Sequence, residues 1–227
     1  SNEEVRCGTL EMLHKIEPAT LAQHADAIAA RLEDSNEEVR FRALPTLGKL
    51  EPATLAQHAD AVAAKLEDFD GCVRLLALET LRKLEPATLA QHADAVAAKL
   101  EDDESGVRRI ALDALGDLEP ATLAQHAHTM VARLEDSDGC VRYMALEKLR
   151  KLEPATLARY ADAVVARLED SNGRVREEAV RTLRELEPAT LAQYADAVVA
   201  RFEDSAEVVR MMAMLTLSKL EPATLAQ

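Results

Sequence analysis

The sequence predicts an all-α fold, a right-handed α-solenoid of 34-residue two-helix repeats, and three observations carry that prediction. The dipeptide Glu-Pro recurs at Glu17, Glu51, Glu85, Glu119, Glu153, Glu187 and Glu221, each time 34 residues on. Val-Arg recurs with the same spacing at Val5, Val39, Val73, Val107, Val141, Val175 and Val209. The composition is 48% hydrophobic yet 3% aromatic, with 7 glycines in 227 residues, which suits closely packed helices. A fixed internal period of this length marks a stacked array rather than a globule.

The register divides residues 1–227 into one continuous solenoid: a half repeat (1–16), six full repeats (17–50, 51–84, 85–118, 119–152, 153–186, 187–220) and a truncated repeat (221–227). Within each repeat, helix A starts at the proline, whose missing N–H would have no partner in a first turn. Its apolar stripe runs Leu21, Ala25, Ile28, Leu32, spaced by 4, 3 and 4, predicting one helix of about 15 residues. A polar turn follows, Glu33-Asp34-Ser35-Asn36, in which Ser35 and Glu38 read as a capping box. Helix B, about 13 residues long, then carries Val39, Ala43, Leu47 and Leu50. Pro45 lies inside it and should bend or break it locally. Neither helix can bury its stripe alone, so each repeat must stack on its neighbours.

The segment Asp34-Ser-Asn-Glu-Glu-Val39-Arg40-Phe-Arg-Ala43-Leu44 recurs as Asp68…Val73-Arg74…Ala77-Leu78 and in every later repeat. It resembles the HEAT repeat family, including its phycobilisome-lyase-like variants, over essentially the whole chain. The resemblance implies a hydrogen-bonded ladder of Asp34/Arg40, Asp68/Arg74, Asp102/Arg108, Asp136/Arg142, Asp170/Arg176 and Asp204/Arg210. It also implies that helix B lines the concave side.

Four helix B positions change almost freely between repeats; in the second repeat they are Phe41, Arg42, Pro45 and Gly48. At about 100° per residue, with Val39 at zero, the core stripe spans roughly 0–80° and these four fall at about 200°, 300°, 240° and 180°. The fixed period lines them up into a ribbon opposite the core. The partner-binding candidates on it are Phe41, Arg42, Leu75, Leu76, Arg109, Ile110, Tyr143, Met144, Glu147, Arg150, Arg181 and Met211. Phe41, Leu75, Leu76, Ile110, Tyr143 and Met144 are expected to be apolar groups exposed on it, and contiguous exposed apolar area marks interaction sites. Relaxed constraint is the plain alternative, but drift would favour polar residues; packing against a neighbouring helix B is another.

The remaining motifs point away from catalysis. His24, His58, His92 and His126 give way to Tyr160 and Tyr194 at the same phase. Rungs about 9–10 Å apart are too distant for two imidazoles to share a metal, so these residues read as amphipathic groove fillers. Cys72 and Cys140 stand two repeats apart and Cys7 is remote from both, beyond the reach of a disulfide, so free thiols are expected. No phosphate loop, nucleophile elbow or Cys-x-x-Cys is present, and no cofactor is expected. A net charge of −14 opposes nucleic acid and anionic membrane. No apolar stretch reaches membrane-spanning length and no signal peptide is visible, which points to a cytoplasmic or otherwise intracellular protein. Arg142, Arg150, Lys151, Arg174, Arg176, Arg181 and Arg184 offer a local basic patch for an acidic peptide, interrupted by Glu177, Glu178 and Glu185. With Val5, Leu10 and Leu13 lacking a covering helix, head-to-tail self-association is expected. The expected function is a non-catalytic scaffold whose helix B face binds protein or peptide. The rival is a structural spacer or engineered repeat array with no specific ligand.

Overall fold

The computed structural model describes residues 2–220, and among these every regular element is helical. Contacts divide the chain into two compact units, Ser1–Glu119 and Pro120–Gln227. The helix B elements of the first are α1 (Glu3–His14), α2 (Glu37–Leu47), α3 (Gly71–Leu81) and α4 (Ser105–Gly116). Those of the second are α5 (Gly139–Leu149), α6 (Gly173–Arg184) and α7 (Glu207–Leu217). Within each unit, successive helices B pack on one another and on the helix A segments of their own repeats. No helix among the described residues is long and apolar enough to cross a membrane.

Helix A differs from the expected single helix. In the first full repeat it runs as Pro18–Leu21, a 3-10 turn Ala22–His24, Ala25–Ala29 and a second 3-10 turn Ala30–Glu33. The break sits at the His/Tyr position, whose backbone leaves helical values: φ −113°, ψ 6° at His24 and φ −117°, ψ 8° at Tyr160. No proline or glycine causes it, so packing sets it: Leu21 before the break and Ala25 and Ile28 after it are all buried. The side chain at the break reaches back to the preceding repeat, as in the 2.9 Å bond that the Tyr194 hydroxyl donates to Asp162. His58 and His92 stand 3.9 Å from Asp26 and Asp60 in the same way.

The N-cap of helix B is one residue later than the expected Ser35. Asn36 accepts the Val39 N–H at 3.3 Å, Asp70 the Val73 N–H at 3.0 Å, and Asn172 the Arg174 N–H at 2.9 Å. Pro45 does not break α2, which runs on to Leu47. Its missing N–H costs one bond, to the Phe41 carbonyl, and with only two helical residues after it the helix runs on.

The Asp and Arg positions join consecutive repeats. Both oxygens of Asp68 accept from Arg40, at 2.7 and 2.8 Å, and Asp102, Asp170 and Asp204 are bound in the same way by Arg74, Arg142 and Arg176. Asp34 is held by Arg6 at 2.8 Å. Inside one repeat the arginine meets the backbone carbonyl of the aspartate instead: Arg40 to Asp34, Arg108 to Asp102, Arg142 to Asp136 and Arg210 to Asp204, at 2.7–2.9 Å. The carboxylate also accepts the N–H two residues on, as at Asp136 from Asp138 at 2.9 Å, so one side chain shapes the turn and ties the stack.

Helix B is buried over a wider arc than its stripe. Leu44, Leu78, Leu112, Leu146 and Val180, about 140° from the valine, are 0% exposed. On the other flank, at about 340°, Thr46, Thr80, Thr182 and Thr216 are no more than 2% exposed. A helix with a helix A beneath it and a helix B on either side keeps only a narrow outer strip.

Candidate protein-binding face

That strip carries the variable positions, which form four columns within each unit. In the first column Phe41, Arg109 and Met211 are exposed, while Leu75 and Tyr143 are half-buried. In the second, Arg42, Leu76 and Met144 are half-buried and Ile110 is buried, at 6% exposure. In the third and fourth, Glu147, Arg181 and Arg150 are half-buried and Arg184 is exposed.

Ile110 therefore corrects the expectation of an exposed apolar group, and Leu75, Leu76, Tyr143 and Met144 are half-buried where exposure was expected; Glu178 (1%) and Met212 (7%) are buried in the same column as Ile110. The second column lies about 60° from the core valine, on the flank turned toward the helix B of the preceding repeat. Contacts show that direction: Arg42 pairs with Glu11 of α1, and Arg150 of α5 donates to Glu178 of α6 at 2.8 Å. Gly48, in the fourth column, is buried because Lys83 lies over it and donates to its carbonyl at 2.9 Å.

In the first unit an open groove of about 370 Å³ runs between α1 and α2, lined by Leu10, Glu11, His14, Phe41, Arg42 and Pro45. Arg42 is held across it by Glu11 and, along its own helix, by Glu38 at 2.6 Å. Burial, with help from Lys49 and Lys83, lowers the His14 pKa and favours the neutral ring. Arg82 binds Asp117 at 2.8 Å and stands 3.7 Å from Asp113.

In the second unit, a cavity of about 330 Å³ is lined by Arg150, Arg181, Arg184, Glu185 and Met212. The next, about 450 Å³, is lined by Arg184, Glu185, Leu215, Ser218 and Lys219. Glu178 sits under the first, bound by Arg150 and 3.5 Å from Arg181, which also pairs with Glu177 at 2.6 Å. Burial raises the Tyr143 pKa, and Glu178 and Glu147 add to it, so the phenol stays protonated.

Two further ladders escaped sequence reasoning. Lys65, Lys99, Arg167 and Arg201 reach Glu33, Glu67, Glu135 and Glu169 at 2.6–2.9 Å. Lys49, Lys83 and Lys219 cap the last carbonyls of the preceding helix B, Lys219 donating to Arg184 at 2.7 Å and Leu186 at 2.8 Å. The first was signalled by a Lys or Arg and a Glu that return every 34 residues; the second was obscured by Asp117 and Glu185, which stand where the other repeats carry lysine. Cys7, Cys72 and Cys140 are free thiols, and no cluster of metal-ligating side chains is found among the described residues.

No family model and no curated protein matches the sequence. Solved structures match its fold. An engineered protein superposes with a TM-score of 0.68 at 15% identity, over 86% of this chain and 95% of its own. A designed armadillo repeat protein in complex with the peptide (KR)4 gives 0.69 at 15% identity, over 86% and 98%. A chain of a homology model of the full-length AP-3 complex gives 0.75 at 15% identity, covering 99% of this chain and 43% of that one. Identity this low speaks for fold alone, and the fold is that of the helical repeat solenoids.

Proposed function

We propose that the chain is a non-catalytic scaffold of HEAT type that binds protein or peptide through the outer strip of its helices B. The observation that carries this is the first column. It holds large apolar side chains in the open, Phe41 at 38% and Met211 at 48% exposure, on helices whose core positions hardly vary. Exposed apolar side chains with arginines beside them are typical of protein interfaces, where Tyr, Phe, Met and Arg are enriched. Two structural neighbours add support, since one is described with a bound peptide and another as designed for modular peptide recognition. The rival is an inert spacer, for which these side chains would be surface drift.

Affinity capture from lysate on the native chain and on a Phe41→Ser/Tyr143→Ser/Met211→Ser variant separates the two. The binding reading expects a partner retained by the first and lost by the second, with helicity unchanged. Equal recovery on both would put the spacer reading ahead.

A further inference from the structure

We infer that the groove of the second unit centred on Arg184 receives the carboxylates of an acidic peptide. This rests on the binding-face reading above and names its ligand chemistry. Arg181 and Arg184 are three apart on α6 and share a face. Glu178, buried beneath them, anchors Arg150 and approaches Arg181, so these two guanidinium groups are held in place from below. Their positive charges meet Glu178 and Glu177, which leaves Arg184, exposed and without an ion pair among the described residues, as the uncompensated cation.

The two cavities share Arg184 and Glu185 and so run on from one to the other, from Met212 to Lys219. Lys219, bound to backbone carbonyls, places an ammonium at the far end. Exposed Leu215 and the buried Met212 line the groove. A planar guanidinium fork matches a carboxylate in two bonds, and the flanking apolar groups suit an aliphatic side chain beside it. The ligand chemistry is thus an extended segment in which acidic and apolar residues are mixed. The chain as a whole carries −14 and Glu185 lines both cavities, so a polyanion is repelled from most of the surface, and recognition here depends on the matched pair of carboxylates meeting Arg184 and Lys219.

The test is fluorescence anisotropy on the full chain with a labelled octapeptide alternating glutamate and leucine, beside a twin with glutamine for glutamate. The acidic peptide should saturate and the twin should not, and affinity should fall as salt is raised from about 0.05 M to about 0.5 M. Arg184→Glu, at an exposed site, should weaken binding about tenfold or more, while Arg159→Glu, exposed at the end of the helix A segment Pro154–Ala158, should leave it unchanged. Three results overturn the inference: no saturation with the acidic peptide, equal weakening by Arg159→Glu, or a single-stranded oligonucleotide of equal charge binding as tightly. If one of these occurs while lysate capture still depends on Phe41, Tyr143 and Met211, the ligand class is wrong and the scaffold reading stands. Capture that ignores those residues removes the scaffold reading itself.

Discussion

Asp68 shows how much of the stack one residue can hold. Its carboxylate accepts two bonds from Arg40 and one from the Asp70 N–H, with the side chain 7% exposed. Removing the guanidinium would strand that carboxylate, so Arg40→Ala should cost about 2–3 kcal/mol in urea unfolding. Arg210→Ala should cost less than about 1 kcal/mol, because Arg210 donates to the Asp204 and Ser205 carbonyls of its own turn and leaves no charge behind. Equal losses would show that the carbonyl bonds, and not the inter-repeat ion pair, carry the stability. The repeated motif made both residue types legible in the sequence. It could not say which aspartate an arginine reaches, since a separation of 6 and one of 28 are both fixed by the period. Ile110 was misread for a related reason: angle about the helix axis places a side chain, but only the neighbouring helix decides whether it is covered.

At the scale of the element, the proline, the apolar spacing and the polar turn located both helices of every repeat. The break within helix A was not legible, because no helix-breaking residue marks His24 or its equivalents and the cause is packing on both sides of the bend. The cap was misplaced by one residue because Ser35 is as good a capping residue as Asn36, and only the backbone distinguishes them. Two substitutions check the observed cap. Asn36→Ala should lower stability by about 1 kcal/mol, while Ser35→Ala, at an exposed site, should change it by less than about 0.5 kcal/mol. Ala206 stands at the same cap position of α7 and offers no side-chain bond, so Ala206→Asp should add about 0.5–1 kcal/mol. A destabilised Ala206→Asp would mean that a carboxylate near Asp204 repels more than the cap gains.

Across the whole molecule, the same carboxylates set a dependence on pH. At Asp204 the hydrogen bond from Arg176 is the leading influence and, with the Ala206 N–H, holds the pKa below its ordinary value against burial. At Asp68, Asp102 and Asp170 burial is the largest single influence and pushes upward, yet the bonds and charges of Arg40, Arg74 and Arg142 together with a backbone N–H outweigh it. All four are therefore lower in the folded than in the unfolded chain. Their contribution is complete above the unfolded value of about 4 and is lost as pH falls through the folded values. The large negative charge works in the opposite sense over part of that range, since protonating exposed carboxylates first relieves self-repulsion. Thermal unfolding followed by circular dichroism should thus show a midpoint that holds or rises from neutral pH to about 5 and then drops steeply below about 4. In Arg74→Ala and Arg142→Ala variants, one in each unit, the midpoint should start lower and the acid limb should be shallower, because a carboxylate without its arginine has less stability to lose on protonation. A decline that begins well above the carboxylate range would instead place the acid response outside the inter-repeat pairs. An acid limb as steep in both variants as in the native chain would place the sensitive carboxylates outside the inter-repeat pairs.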